Sequence, residues 1–163
     1  MLVRLNNEDK WRSLLNKPTQ DLHSKDIELI LRSFALLENG DNYAPKMITF
    51  LNTYSQKTKS FTSEHIKYLN GLFLSFIDSC SELGEKAFFR NNRFSRTLFE
   101  SVFVAVSKRA YNNMEMVNQT IDSDSFENLK NDEEFKSYLL SGSSSSENIN
   151  GRINRSICII KMK

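Results

Sequence analysis

Apolar residues recur every three or four positions along most of the chain, which is the spacing of one face of an α-helix. This pattern predicts helices over residues 7–16, 26–38, 45–56, 63–83, 94–110 and 132–140, and a last helix that begins at 146–147. Only five glycines and two prolines occur in 163 residues, too few turn-forming residues for a sandwich or barrel of many strands. We therefore predict an all-α fold, a single-domain bundle of about six to seven helices.

The helix predicted over residues 26–38 carries apolar residues on two opposite sides. One stripe consists of Ile27, Ile30, Leu31, Phe34 and Leu37. Leu29 and Leu36 form a second stripe on the other side. Two stripes indicate a helix that lies between two neighbours, and one of those neighbours could be a partner or a second copy of this chain. Leu29 and Leu36 are therefore candidate interface residues.

The composition changes after residue 111. Residues 112–131 are rich in Asn and Gln, and acidic residues dominate 122–134, so we expect this half to be more loosely built. The Ser- and Gly-rich residues 141–146 are typical of a linker. We predict a bundle core over residues 1–140, a linker over 141–146 and a terminal amphipathic helix over 147–163 that docks on the bundle through its isoleucine stripe.

Charge and cysteine content bound the class of protein. Lys and Arg number 22 against 20 Asp and Glu, a net charge of +2, so any contact with nucleic acid or with an anionic surface must be local. Cys80 and Cys158 have no C-x-x-C spacing, which favours a reducing, cytoplasmic compartment over a disulfide framework or a zinc site. No stretch has the length and apolarity of a signal peptide or a membrane span, and we expect no membrane association.

Motifs for common catalytic chemistry are absent from the sequence. It contains no phosphate-binding P-loop, dinucleotide fingerprint, zinc-protease helix or nucleophile elbow. His65 has no carboxylate at a helical spacing to act with it. We therefore predict no catalytic residue, no metal site and no cofactor. An enzyme whose site assembles from the scattered residues His65, Arg90 and Glu100 is the weakest alternative.

One segment concentrates basic residues. Lys86, Arg90, Arg93 and Arg96 are interleaved with Phe88, Phe89 and Phe94. Arginine side chains bind phosphate through two parallel hydrogen bonds, aromatic rings can stack on bases, and a helix start adds a positive field. These four basic residues are the candidate nucleic-acid-binding residues.

A structural explanation of the same segment stays open. Glu82, Glu85 and Glu100 could neutralise part of the charge, and Arg96 and Glu100 have the spacing of an ion pair along one helix. The phenylalanines could equally belong to the core.

Several phrases resemble a known family. They are Trp11 ahead of Leu14 and Leu15, residues 26–36 (DIELILRSFAL), 43–52 (YAPKMITFLN), 83–90 (LGEKAFFR), 98–100 (LFE) and 150–153 (NGRI). In order and spacing they are similar to the helical C-terminal part of the GmrSD-type proteins of bacterial restriction and phage defence. The resemblance spans nearly the whole chain, although most of these residues are of the helix-packing kind.

The resemblance implies the kind of system in which this chain would act, and it implies no catalytic activity for the chain itself. In that family the helical part follows an N-terminal ParB-like domain with an Asp-Gly-x-x-Arg motif linked to nucleotide hydrolysis and DNA restriction. No Asp-Gly dipeptide occurs in this sequence, so no catalytic residue is carried over. The partners it implies are DNA and an N-terminal nuclease- or NTPase-like domain or subunit.

Two functions follow as hypotheses. The first is a non-catalytic helical module of a GmrSD-like protein that positions DNA or a partner domain through residues 86–96. The alternative is a structural or homo-oligomerising helical domain without nucleic-acid contact, with Leu29 and Leu36 at its interface.

Overall fold

The computed structural model describes residues 1–139 and 144–163. Its helices are α1 (Leu2–Asn6), α2 (Asp9–Leu14), α3 (Lys25–Asn39), α4 (Met47–Thr58), α5 (Ser63–Ser79), α6 (Arg96–Asn112), α7 (Ser123–Asn131), α8 (Glu133–Ser137) and α9 (Ser146–Ile159). A 3₁₀ turn covers Gly40–Asn42, and the strands β1 (Phe89–Arg90) and β2 (Arg93–Phe94) form a small antiparallel hairpin. The prediction of an all-α fold is confirmed. Each of the seven predicted helices has a counterpart, whereas α1, α7 and the hairpin were not predicted.

Helix α6 is the centre of the bundle. It packs against α3, α5 and α9, and ten of its residues are buried. Phe99 and Phe103 lie on its buried side, where Phe99 packs on Trp11 of α2 with ring centroids 5.0 Å apart and Phe103 packs on Phe76 of α5 at the same centroid distance. The wide apolar stripe of this helix therefore contacts several neighbours at once.

The candidate interface on α3 requires a correction. Leu29 is 2% exposed and Leu36 is 1% exposed, so both belong to the core of this chain. Helix α3 packs against α1, α4 and α6, and these neighbours bury both of its apolar stripes. The second stripe therefore faces the chain's own helices and offers no surface to a partner.

The acidic, Asn-rich half is more regular than predicted. It contains α7, which begins after Asp122, whose side chain accepts a hydrogen bond from the backbone N–H of Ser125 at 2.8 Å. Phe126 and Leu129, three positions apart on one face, are buried. One cap and two apolar residues are enough to hold a short helix against the bundle.

The C-terminal helix α9 packs mainly on α6 and also on α7 and α8. Ile149 and Ile153 of its isoleucine stripe are buried, whereas Ile157 is 48% exposed. Of the predicted linker, residues 141–143 lie outside the described residues, and Ser145 caps α9. None of the helices in the described ranges is both long and apolar enough to cross a membrane.

Both cysteines are free, but their environments differ. Cys80 is buried, and burial raises the pKa of its thiol well above the ordinary value. Cys158 is exposed. The reason is that α9 turns only one side towards α6, and residue 158 lies on the other side.

Candidate nucleic-acid interface

The basic segment forms a tight hairpin. Phe89 pairs with Phe94 and Arg90 pairs with Arg93, which leaves Asn91 and Asn92 as the two turn residues. Their φ angles are 49° and 59°, in the left-handed region that a two-residue turn between twisted strands requires. Asn enters this region more readily than most residues. The sequence Phe-Arg-Asn-Asn-Arg-Phe therefore carries a hairpin pattern that helical periodicity alone does not detect.

The register of the hairpin separates its aromatic and basic residues. Residues paired across two antiparallel strands project to the same face, and neighbours along a strand project to opposite faces. Phe89 and Phe94 share one face, with ring centroids 5.7 Å apart, and Phe94 lies 5.7 Å from the Phe99 ring in the core. Arg90 and Arg93 share the other face. The hairpin is thus anchored through its phenylalanines and presents its arginines away from that anchor.

The four candidate cations have no anionic partner among the described residues. Lys86, Arg93 and Arg96 are exposed, and Arg90 is partly buried. None of them forms an ion pair with a carboxylate in the described ranges. Below, "basic hairpin" denotes these four residues and the strands that carry Arg90 and Arg93. Its positive charge is not neutralised within the part of the chain that the structure describes.

Arg96 and Glu100 do not form the ion pair that their helical spacing left open. Glu100 is 0% exposed, and its Oε1 lies 2.5 Å from Nε of Arg32 on α3. Its Oε2 lies 3.3 Å from Nη2 of Arg152 on α9. Arg96 is exposed at the start of α6, whereas Glu100 is on the side that α3 and α9 cover. A buried carboxylate requires partners that are buried with it, and only the other two helices supply them.

The other acidic residues near the basic hairpin do not neutralise its positive charge either. Glu82 binds Lys163, with Oε2 and Nζ 2.8 Å apart. Glu85 is exposed and forms no ion pair with a described residue. The neutralisation that the sequence suggested is therefore absent from the described contacts.

The phenylalanines are packing residues. Phe88 is fully buried and lies 5.3 Å from both Phe99 and Phe126, measured between ring centroids. Phe89 and Phe94 are half-buried and pack edge to face on each other. Bases need an exposed ring face for stacking. The segment therefore provides cations for phosphates without a stacking platform for bases.

His65 has a carboxylate partner that its sequence neighbourhood does not reveal. Its Nε2 lies 2.8 Å from Oε1 of Glu38 on α3. Tyr111 donates a hydrogen bond to the same oxygen at 2.9 Å, and Tyr54 donates one to the other oxygen. Burial, together with the hydrogen bond to Glu38, raises the pKa of Tyr111 to about 12. One carboxylate thus links α3, α4, α5 and α6 through a hydrogen-bonded cluster.

The three residues of the enzyme alternative do not form one site. His65 contacts Glu38, Glu100 contacts Arg32 and Arg152, and Arg90 lies on the hairpin. The three residues share no contacting partner in these ion pairs and hydrogen bonds. Within the described ranges, no group of three or more His, Cys, Asp or Glu side chains is placed to hold a metal ion.

Comparison of the chain with models of known protein families, with curated proteins and with solved structures gives no match. The resemblance to the GmrSD-type proteins therefore stays a prediction from the sequence segments that carry it.

Proposed function

We propose that this chain is a non-catalytic helical module that binds double-stranded DNA through phosphate contacts of the basic hairpin. The observation that carries the proposal is the register that sets Arg90 directly opposite Arg93. Like charges in such a pair destabilise a hairpin unless an anion lies between or beside them. A phosphate backbone supplies that anion, and guanidinium groups bind it through paired hydrogen bonds.

The buried phenylalanines favour duplex over single-stranded nucleic acid. Proteins that bind single strands combine a basic groove with aromatic rings on which bases stack. Here Phe88 is enclosed in the core and Phe89 and Phe94 contact each other. Exposed cations without a stacking surface suit the regular phosphate array of a duplex, and the contacts they make carry no base information.

The family resemblance supplies the proposed context. A GmrSD-like module would position DNA for an N-terminal nuclease- or NTPase-like domain or subunit in restriction of phage DNA. The segments that resemble the family include residues 83–90, which contain Lys86 and Arg90, and residues 98–100, which follow Arg96. The proposed role of this chain is binding, and the chemistry would belong to the partner.

The alternative function is that of an oligomerising domain with Leu29 and Leu36 at its interface. Both residues are buried within the chain and are not accessible to a partner. Lys86, Arg93 and Arg96 of the basic hairpin are exposed and offer the surface that the first function requires.

Fluorescence anisotropy with a labelled duplex tests the proposal. We expect binding at about 50 mM salt that weakens linearly on a log–log plot as salt increases. Arg93→Ala and Arg96→Ala should each weaken binding to the same degree for unrelated sequences and reduce the salt slope by about 1, as loss of one phosphate contact does.

Arg109→Ala is the matched control. Arg109 is exposed and lies near the other end of α6, about 20 Å from Arg96 at 1.5 Å per residue. Arg109→Ala removes one positive charge from α6, as Arg96→Ala does. A general effect of net charge on binding would therefore appear equally in both variants. Equal loss in all three variants, or no binding at low salt, would contradict the proposal.

A further inference from the structure

A polar cleft lies beside the hairpin. It has a volume of about 580 Å³ and separates β1 and the start of α6 from α8. Its lining includes Arg90, Ser95, Thr97, Glu133, Lys136 and Ser137. Two cations and three hydroxyl groups thus converge from β1 and the start of α6 on one side and from α8, about 40 residues later in the chain, on the other. A volume of this size is within the range of small-molecule sites.

The guanidinium group of Arg90 is partly buried, and no carboxylate of the described residues forms an ion pair with it. Its Nη1 atom is shielded from solvent and has no hydrogen-bond acceptor among the described residues. A buried donor without a partner costs free energy, and the cost is larger for a charged group. Because Arg90 lines the cleft, an anion bound there would lie beside its guanidinium group.

The start of α6 adds to the positive field of the cleft. Ser95 caps this 17-residue helix and accepts a hydrogen bond from the backbone N–H of Leu98 at 3.3 Å. The Ser95 and Thr97 hydroxyl oxygens lie 3.3 Å apart at the cleft wall. Hydroxyl donors and the positive end of a helix both favour an anion.

Lys136 is available to an incoming anion. Its present partner is Glu133, with Nζ and Oε1 2.7 Å apart, and the Glu133 side chain is 88% exposed. An exposed pair of this kind contributes little to stability. Glu133 can therefore turn into solvent when a stronger anion enters the cleft.

We propose that this cleft binds a terminal phosphate monoester of a nucleic-acid strand. The inference rests on the proposed function, in which the exposed arginines hold the duplex beside it. An internal phosphodiester has a sugar on both sides and carries one charge, so it suits Arg93 and Arg96 on the surface. A terminal phosphate has a sugar on one side only, enters a recessed site more easily and carries up to two charges near neutral pH.

Two duplexes of one sequence test the inference, one with 5′-phosphates and one with 5′-hydroxyl ends. We expect the phosphorylated duplex to bind roughly tenfold more tightly, the effect of about one charge-assisted hydrogen bond. Lys136→Gln should reduce the difference, because it removes one of the two cations that line the cleft. Glu133→Gln should enlarge the difference, because it removes the competing carboxylate. A duplex with 3′-phosphates shows which strand end the cleft prefers, and tighter binding of either phosphorylated end supports the inference.

Lys161→Gln is the matched control, because Lys161 is exposed and lines a different groove, between α6 and α9. Equal affinity for phosphorylated and unphosphorylated duplexes overturns the inference while duplex binding itself stands. An undiminished preference in Lys136→Gln also overturns it.

Titration with inorganic phosphate alone tests anion binding in the cleft independently of the proposed DNA binding. Titrated into the protein and followed by amide chemical shifts, it should perturb Thr97, Lys136 and Ser137. These shifts without duplex binding would support the anion site and contradict the DNA-binding role. Absence of the shifts at millimolar phosphate would overturn the site.

Discussion

Glu100 illustrates how burial selects the partner of a charged residue. Its spacing from Arg96 is that of an ion pair along one helix, yet it binds Arg32 and Arg152 across helices. The side of α6 on which a residue lies decides whether its charge needs a buried partner. Helical spacing reveals which residues share a side, but it does not reveal what the neighbouring helices bring to that side.

At the same scale, Glu100→Gln should lower the free energy of unfolding by about 3–5 kcal/mol, because it removes the buried carboxylate to which Arg32 and Arg152 both donate. Urea denaturation measures the loss. Glu82→Gln is the control, since it breaks an exposed pair with Lys163 and should cost less than about 1 kcal/mol. Similar losses in the two variants would contradict a central role for the buried group.

The hairpin is the element on which the proposed site depends. Its two strands have two residues each, so the turn and the phenylalanine anchor determine its conformation. The symmetric sequence around Asn91 and Asn92 could have predicted the hairpin, because two polar turn residues between similar flanking residues favour a two-residue turn. Its position beside the start of α6 and the end of α8 depends on packing of Phe88 and Phe94 in the core.

At the element scale, Asn92→Val should destabilise the protein by about 1–2 kcal/mol, because a β-branched residue is strained at a positive φ. Asn92→Gly should be tolerated, since glycine adopts this conformation without strain. Urea denaturation gives the stabilities, and duplex titration should show weaker binding for the valine variant alone. If valine and glycine behave alike, the turn conformation does not control the arginines.

At the scale of the whole molecule, ion pairs hold the C-terminal helix α9 against α8. Arg155 of α9 donates two hydrogen bonds to Asp132, at 2.9 and 2.6 Å, and Asp132 also caps α8. The hydrogen bonds from Arg155 hold the pKa of Asp132 at about 2, below its ordinary value of 3.8. The ionised form is thus favoured in the folded state.

This depressed pKa predicts how the stability of the molecule depends on pH. The contribution of Asp132 is complete above about pH 4 and is lost as pH falls towards about 2, because the unfolded chain takes up the proton first. Asp132→Asn keeps a cap residue but removes the charge. Its melting temperature should fall less steeply than that of the unmodified protein over this interval in a series of thermal scans. Parallel curves would show that the Arg155 contact contributes no pH dependence.

The sequence by itself determined the all-α class and the approximate positions of seven of the nine helices in the described ranges. Apolar periodicity and cap residues such as Asp132 act over a few neighbouring positions, so they are visible without the fold. The sequence also singled out Lys86, Arg90, Arg93 and Arg96, but it could not show whether nearby carboxylates neutralise them.

Only the tertiary structure decided which of these side chains meet. It buried Leu29 and Leu36, paired Glu100 with two arginines from other helices, and set Arg90 opposite Arg93 beside a cleft that α8 completes. Each of these results depends on contacts between residues that are far apart in the chain. Burial and the pairing of charges are properties of the packed molecule, and local patterns determine only which side chains are available for them.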